Sequence, residues 1–209
     1  MITVDECPTC GAPAAPSARR CSHCKAEFFV KNLAYVGSLE KAAVQKYITF
    51  YKGLLRTNGD DGEAVLALGL CYLDLGLHDL AIKQIDKAIE EMPQQADVYY
   101  YSAISLFKGR KPRILSLSEV KKIESLLEAA CQLDDGEAKY YYLRALVKYE
   151  YYLKNGMRVV GPGWEELLAE ARARAPTGAE LVKLIERVPV EASPVTAAIR
   201  AVAMQTRVI

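Results

Sequence analysis

The chain of 209 residues is poor in the groups that most enzymes rely on: two histidines, one tryptophan and four phenylalanines. Neither His23 nor His78 has a neighbourhood that sets a base beside a nucleophile, and no glycine-rich phosphate loop or cofactor fingerprint is present. An enzyme is therefore not expected. Charge of one sign is also lacking: 27 Lys and Arg stand against 26 Asp and Glu, so there is no overall pull towards nucleic acid or anionic lipid. No run approaches the ~18 apolar residues of a membrane span, and Asp5 and Glu6 stand where a secretory leader would carry basic residues. A cytoplasmic location is the expectation. The acid pairs Asp60-Asp61, Glu90-Glu91, Asp134-Asp135 and Glu165-Glu166 fall at expected helix ends, where they read as caps and dipole compensation rather than as acid–base chemistry. What remains is 51% hydrophobic and 25% charged, the composition of a globular protein with one substantial core and a small satellite.

The satellite is marked by cysteine. Cys7-Pro-Thr-Cys10 is followed, after ten residues, by Cys21-Ser-His-Cys24. Each pair can sit on a tight turn and aim two sulfurs inward, and two such turns close the tetrahedron of a structural zinc ion with no open position for water. Between them, Gly11 to Arg20 is too rich in proline for a helix and too short for a core of its own, so the metal must organise it. Residues 5–30 resemble the small zinc-ribbon family, whose Cys-Pro-x-Cys-Gly pattern is kept at Gly11 and broken at Lys25. One structural Zn2+ on Cys7, Cys10, Cys21 and Cys24 is expected, with an iron or redox role as the alternative. His23 is expected to be exposed, and Cys71 and Cys131 to be reduced and buried. Phe28, Phe29 and Val30 either dock the module on its neighbour or finish its last strand over the metal; the sequence leaves both open.

From Leu39 the pattern becomes helical. Leu39 to Leu55 reads as one amphipathic helix entered at Gly37-Ser38. Asp60 with Glu63 reads as a capping box for a helix carrying Ala64, Ala67, Leu68, Cys71 and Tyr72, broken at Gly76. A second stripe, Ala81, Ile82, Ile85, Ala88 and Ile89, ends at Pro93. In order, Leu68-Gly69, Tyr72, Gly76, Ala81, Ile85, Ala88 and Pro93 resemble the tetratricopeptide repeat (TPR), which implies two antiparallel helices with Gly69 opposite Ala81. A second unit follows about 34 residues on, with Ser116 capping Glu119 after a lengthened turn. A third begins near Glu137, where Tyr140-Tyr-Tyr142 repeats Tyr99-Tyr-Tyr101 and Arg144 replaces a small residue. Trp164 to Arg174 and a helix capped by Thr177 are expected to cover the end of the stack. The resulting fold class is mainly α: a TPR-like helical-hairpin solenoid with a small N-terminal zinc ribbon. Its expected domains are 1–30 (ribbon), 31–188 (array with capping helices) and 189–209 (short helix or flexible tail).

TPR arrays commonly grip peptide segments on the face of the first helices. That resemblance implies a groove of Leu66, Leu70, Leu73, Tyr100, Ile104, Phe107, Tyr141, Ala145 and Tyr149, and so a non-catalytic adaptor or scaffold for a protein segment. Thirteen tyrosines, six of them in two triplets, suit recognition, although a triplet on a helix also serves a core. The alternative function is a nucleic-acid-associated module, using the ribbon and the basic turn Lys108, Arg110, Lys111 and Arg113.

Overall fold

The computed structural model describes residues 4–15, 18–59, 61–174 and 178–205. The expected caps Asp60 and Thr177 lie outside these residues. The chain forms two compact units, Met1–Pro93 and Gln94–Ile209. Secondary structure among the described residues is helical, apart from two isolated antiparallel bridges, Glu6 with Pro13 and Arg20 with Glu27.

In the first unit the cysteine turns lead into α1 (Leu33–Val36), α2 (Lys41–Asn58), α3 (Gly62–Asp74) and α4 (His78–Glu91). The short α1 is an addition to the expected helices; Asn32 starts it by accepting the Tyr35 N–H on its side chain. Helix α2 begins after Glu40 rather than at Gly37-Ser38. Asp61 is the N-cap of α3 and accepts the Ala64 N–H. Gly76, at φ +73°, turns the chain back so that α4 packs along α3. A Cβ on Gly69 would lie 2.7 Å from Ile85 Cγ1. The close approach of the two helices is therefore at Ile85, one turn beyond the expected Ala81.

The second unit contains α5 (Ala96–Leu106), a 3-10 turn (Pro112–Ile114), α6 (Leu117–Leu133), α7 (Ala138–Val147), α8 (Trp164–Arg172), α9 (Gly178–Arg187) and α10 (Pro194–Gln205). The Ser116 and Glu119 side chains cap α6 reciprocally, as the sequence predicts. Helices α5 and α6 form one hairpin. Helix α7 runs on into a π-helical turn, Lys148–Leu153, and then pairs with α8. Thus α8 completes the third hairpin instead of serving only as a cover; Trp164, half-buried, sets its ring edge-on to Tyr149 at 5.1 Å. Helices α9 and α10 pack on each other and both return to α7. No described helix is long and apolar enough to cross a membrane.

Candidate metal centre and helical surfaces

The two cysteine turns have matching backbones. Cys7 N–H donates to Ala12 O at 2.8 Å and Gly11 N–H to Cys7 O at 2.9 Å. The second turn repeats this with Cys21 N–H to Ala26 O at 2.9 Å and Lys25 N–H to Cys21 O at 3.1 Å. Each turn requires a left-handed residue after its second cysteine, met by Gly11 at φ +72° and by Lys25 at φ +63°. The departure from the ribbon pattern is thus one of side chain only, with the backbone conformation kept; Lys25 Nζ folds back onto Ser22 O at 2.7 Å.

All four sulfurs lie within 4.8 Å of one another, with Cys7 to Cys24 at 3.6 Å and Cys10 to Cys21 at 3.7 Å. Zn–S bonds of ~2.3 Å in a tetrahedron place sulfurs ~3.8 Å apart, so the cluster fits a metal ion of that kind. It is a four-thiol set able to chelate a metal. The thiols do not ionise alike: N–H groups, above all that of Cys24, lower the Cys21 pKa to about 6 against burial. Cys24 receives help from the Ala26 N–H, yet burial and the neighbouring sulfurs push it up to about 12. A bound dication removes that conflict by stabilising every thiolate. His23 is exposed and stands outside the cluster. Cys71 and Cys131 are buried free thiols, as expected, and burial raises both pKa values, that of Cys71 to about 12.

Tyrosines that in the sequence are anonymous members of a helical stripe join the ribbon to the helices. Tyr51 Oη donates to Phe28 O at 2.9 Å and accepts from Val30 N–H at 3.0 Å. Tyr35 Oη accepts from Glu27 N–H at 2.9 Å and lies 3.1 Å from Tyr47 Oη, which itself donates to Glu27 O. Phe28, Phe29 and Val30 are buried beneath this network, which settles the open alternative in favour of docking. Arg19 pairs with Glu63 on α3, and Lys46 Nζ donates to Thr9 O at 3.1 Å. The spacing of Tyr47 and Tyr51 on one face of α2 was the available signal; the partner of that face was not in the sequence.

The nine residues expected to face a groove are differently placed. Leu66, Leu70, Leu73, Tyr100, Ile104, Phe107, Tyr141 and Ala145 are buried, and Tyr149 is half-buried. The tyrosines work inside the second unit. Tyr100 packs on Tyr101 and Tyr140 at 5.3 and 5.4 Å, Tyr140 Oη donates to Asp97 Oδ1 at 2.7 Å, and Tyr141 lies under the Arg174 guanidinium at 3.8 Å. Tyr101 Oη donates to the buried Glu180 carboxylate of α9 at 3.0 Å. The second unit thus covers first-helix side chains with its own C-terminal helices. In the basic turn, Arg110 is ion-paired with Glu119 and Lys111 with Glu191 at 3.1 Å, while Lys108 and Arg113 are exposed. At least half of that charge is already neutralised within the unit.

No known family profile matches the chain. It is similar to the crystal structure of a thermophilic TPR protein of Thermus thermophilus, with a TM-score of 0.51 and 18% identity over 85% of this chain and 98% of that one. That likeness establishes a TPR-like arrangement of helix pairs. The chain is also 30% identical, over 97 residues, to Superkiller protein 3 of Saccharomyces cerevisiae; the match takes in 46% of this chain and 6% of the yeast protein.

Proposed function

We propose that the protein is a non-catalytic interaction module, a zinc-clamped ribbon fused to TPR-like hairpins, that serves as an adaptor for a protein segment. The observation that carries this reading is the succession of helix pairs, similar over most of the chain to a TPR protein of known structure. The partial match to Superkiller protein 3 agrees with it. With eight of the nine first-helix candidates buried, the segment is expected to meet exposed surface such as that carrying Leu77 and Leu80 on and before α4. Zinc is the expected metal because four thiolates in a closed tetrahedron suit it and leave no catalytic position. Its role is to hold the docked N-terminal segment.

The test is affinity capture with the intact chain from its cell of origin, with and without nuclease, at low and high salt. Protein partners that persist after nuclease and in high salt support the adaptor reading. Retention of nucleic acid alone, weakening steeply with salt, would favour instead the nucleic-acid-associated alternative that uses the ribbon and the basic turn 108–113. Metal analysis after dialysis is expected to find one zinc per chain.

A further inference from the structure

Beside α6, α7 and the loop before α8 lies a cavity of about 540 Å³ that neither the ribbon nor the TPR likeness accounts for. Part of its lining is a polar network. Lys148 Nζ sits 2.7 Å from Glu124 Oε1 and donates to Val160 O at 2.9 Å, while Tyr152 Oη donates to Glu124 Oε2 at 2.7 Å. Lys148 and Tyr152 reach the same carboxylate from the π-helical turn Lys148–Leu153; such turns within α-helices are frequent at functional sites.

Around this neutral network the charge is unbalanced. Arg144, Lys121 and Arg158 line the cavity, and none of the three is ion-paired among the described residues. Glu128 is the one lining carboxylate outside that network. Arg144 is half-buried, and among the described residues its side chain donates only to the Cys131 thiol, at 3.7 Å. A partly desolvated guanidinium without a counter-charge is costly unless an anion completes it. The remaining wall is apolar, from the solvent-exposed Leu117, Met157 and Val160, and the open cleft has the volume of a small-molecule site. Arg144, which stands where the repeat pattern has a small residue, places a cation at the edge of the cavity.

We infer that this cavity binds a small organic anion, with a carboxylate or phosphate head on Arg144, Lys121 and Arg158 and a short apolar body against Leu117, Met157 and Val160. The probes are hexanoate, hexyl phosphate, hexanamide and acetate, titrated into the intact chain while the Met157 methyl resonance is followed by NMR. At least one of the two charged six-carbon probes should shift that resonance saturably, and comparing them identifies the preferred head. Arg144→Gln should weaken binding about tenfold or more, the effect of losing one charge-assisted hydrogen bond. Arg158→Gln, on an exposed loop that does not risk the fold, should weaken it several-fold, and Arg56→Gln in the other unit should leave it unchanged. The inference is overturned if neither charged probe saturates by about 10 mM, or if hexanamide or acetate binds as tightly as the better charged probe. It is equally overturned if both cavity variants bind like the unaltered protein.

Discussion

Gly69→Ala offers a sharp test of the α3–α4 hairpin, because two opposing effects of known size meet at one atom. Alanine in a helix interior is favoured over glycine by about 0.5–1 kcal/mol. The added Cβ, however, would lie 2.7 Å from Ile85 Cγ1 and 3.4 Å from both Gln84 Cβ and Ile85 N. Ile85 is fully buried and cannot swing aside, so overpacking costs about 1–3 kcal/mol. The net expectation is a loss of up to about 2.5 kcal/mol, each kcal/mol lowering the melting temperature by roughly 4–8 °C for a unit of this size. Gly53→Ala is the matched control: it lies inside α2 with nothing within 4 Å of its Cβ position, so it should stabilise by about 0.5–1 kcal/mol. Ile85→Ala alone should cost about 2–5 kcal/mol, but it removes the 2.7 Å contact. In that background Gly69→Ala should change sign and become stabilising. Urea titrations of the four members of this cycle, read by far-ultraviolet circular dichroism, decide the matter. A rise in midpoint for Gly69→Ala with Ile85 intact would refute the packing argument.

Lys25→Gly should stabilise the metal-loaded first unit by about 1–2 kcal/mol, less the loss of the Lys25 to Ser22 contact, because it relieves a left-handed backbone at φ +63°. Gly11→Ala should destabilise it by a similar amount through the backbone alone, since nothing lies within 4 Å of the new Cβ; thermal melts with bound zinc compare the two. Chelation of the metal should lower the melting temperature of the whole first unit, because Tyr35, Tyr47 and Tyr51 tie the ribbon backbone to α1 and α2; a chelator that leaves the helical transition unchanged would contradict this. Glu119 is held at about 2, first by Arg110 and then by Ser116. Its folded pKa is lowered, so its contribution is complete above the ordinary carboxyl range and fades as pH falls from there through about 2; Glu119→Gln should flatten the pH dependence of the urea midpoint in that window. Tyr101→Phe should cost about 1–3 kcal/mol, because it deprives the buried Glu180 carboxylate of a donor; an unchanged midpoint would show that α9 is not anchored there.

Much of this architecture was legible in local chemistry. Two thiols three residues apart must share a turn, so the ligand set Cys7, Cys10, Cys21 and Cys24 could be read from spacing, and the fold brings those sulfurs together. The left-handed position after each pair was legible at Gly11 and hidden at Lys25, because a lysine in that conformation carries no sequence mark. Ser116 with Glu119, Gly76, and the repeat period placed the hairpins, since capping and turn formation involve atoms only a few residues apart.

What the tertiary structure alone decided was the fate of every face that looks outward in a single hairpin. A tyrosine triplet projects rings about 100° apart around a helix, so sequence supplies one core side and two sides whose neighbours are unspecified. Tyr100 and Tyr141 resemble a recognition surface until Tyr140, Lys139 and Arg174 are placed around them. Tyr101 likewise requires Glu180, 79 residues away in the chain. The anion cavity has the same origin, because Arg144 gains Lys121 and Arg158 as neighbours only when α6, α7 and the loop before α8 converge. Metal spacing, caps and repeat period are short-range and therefore written in the sequence. Which apolar or aromatic face is covered, and by what, depends on long-range packing that balances many similar burial energies, and only the folded chain resolves it.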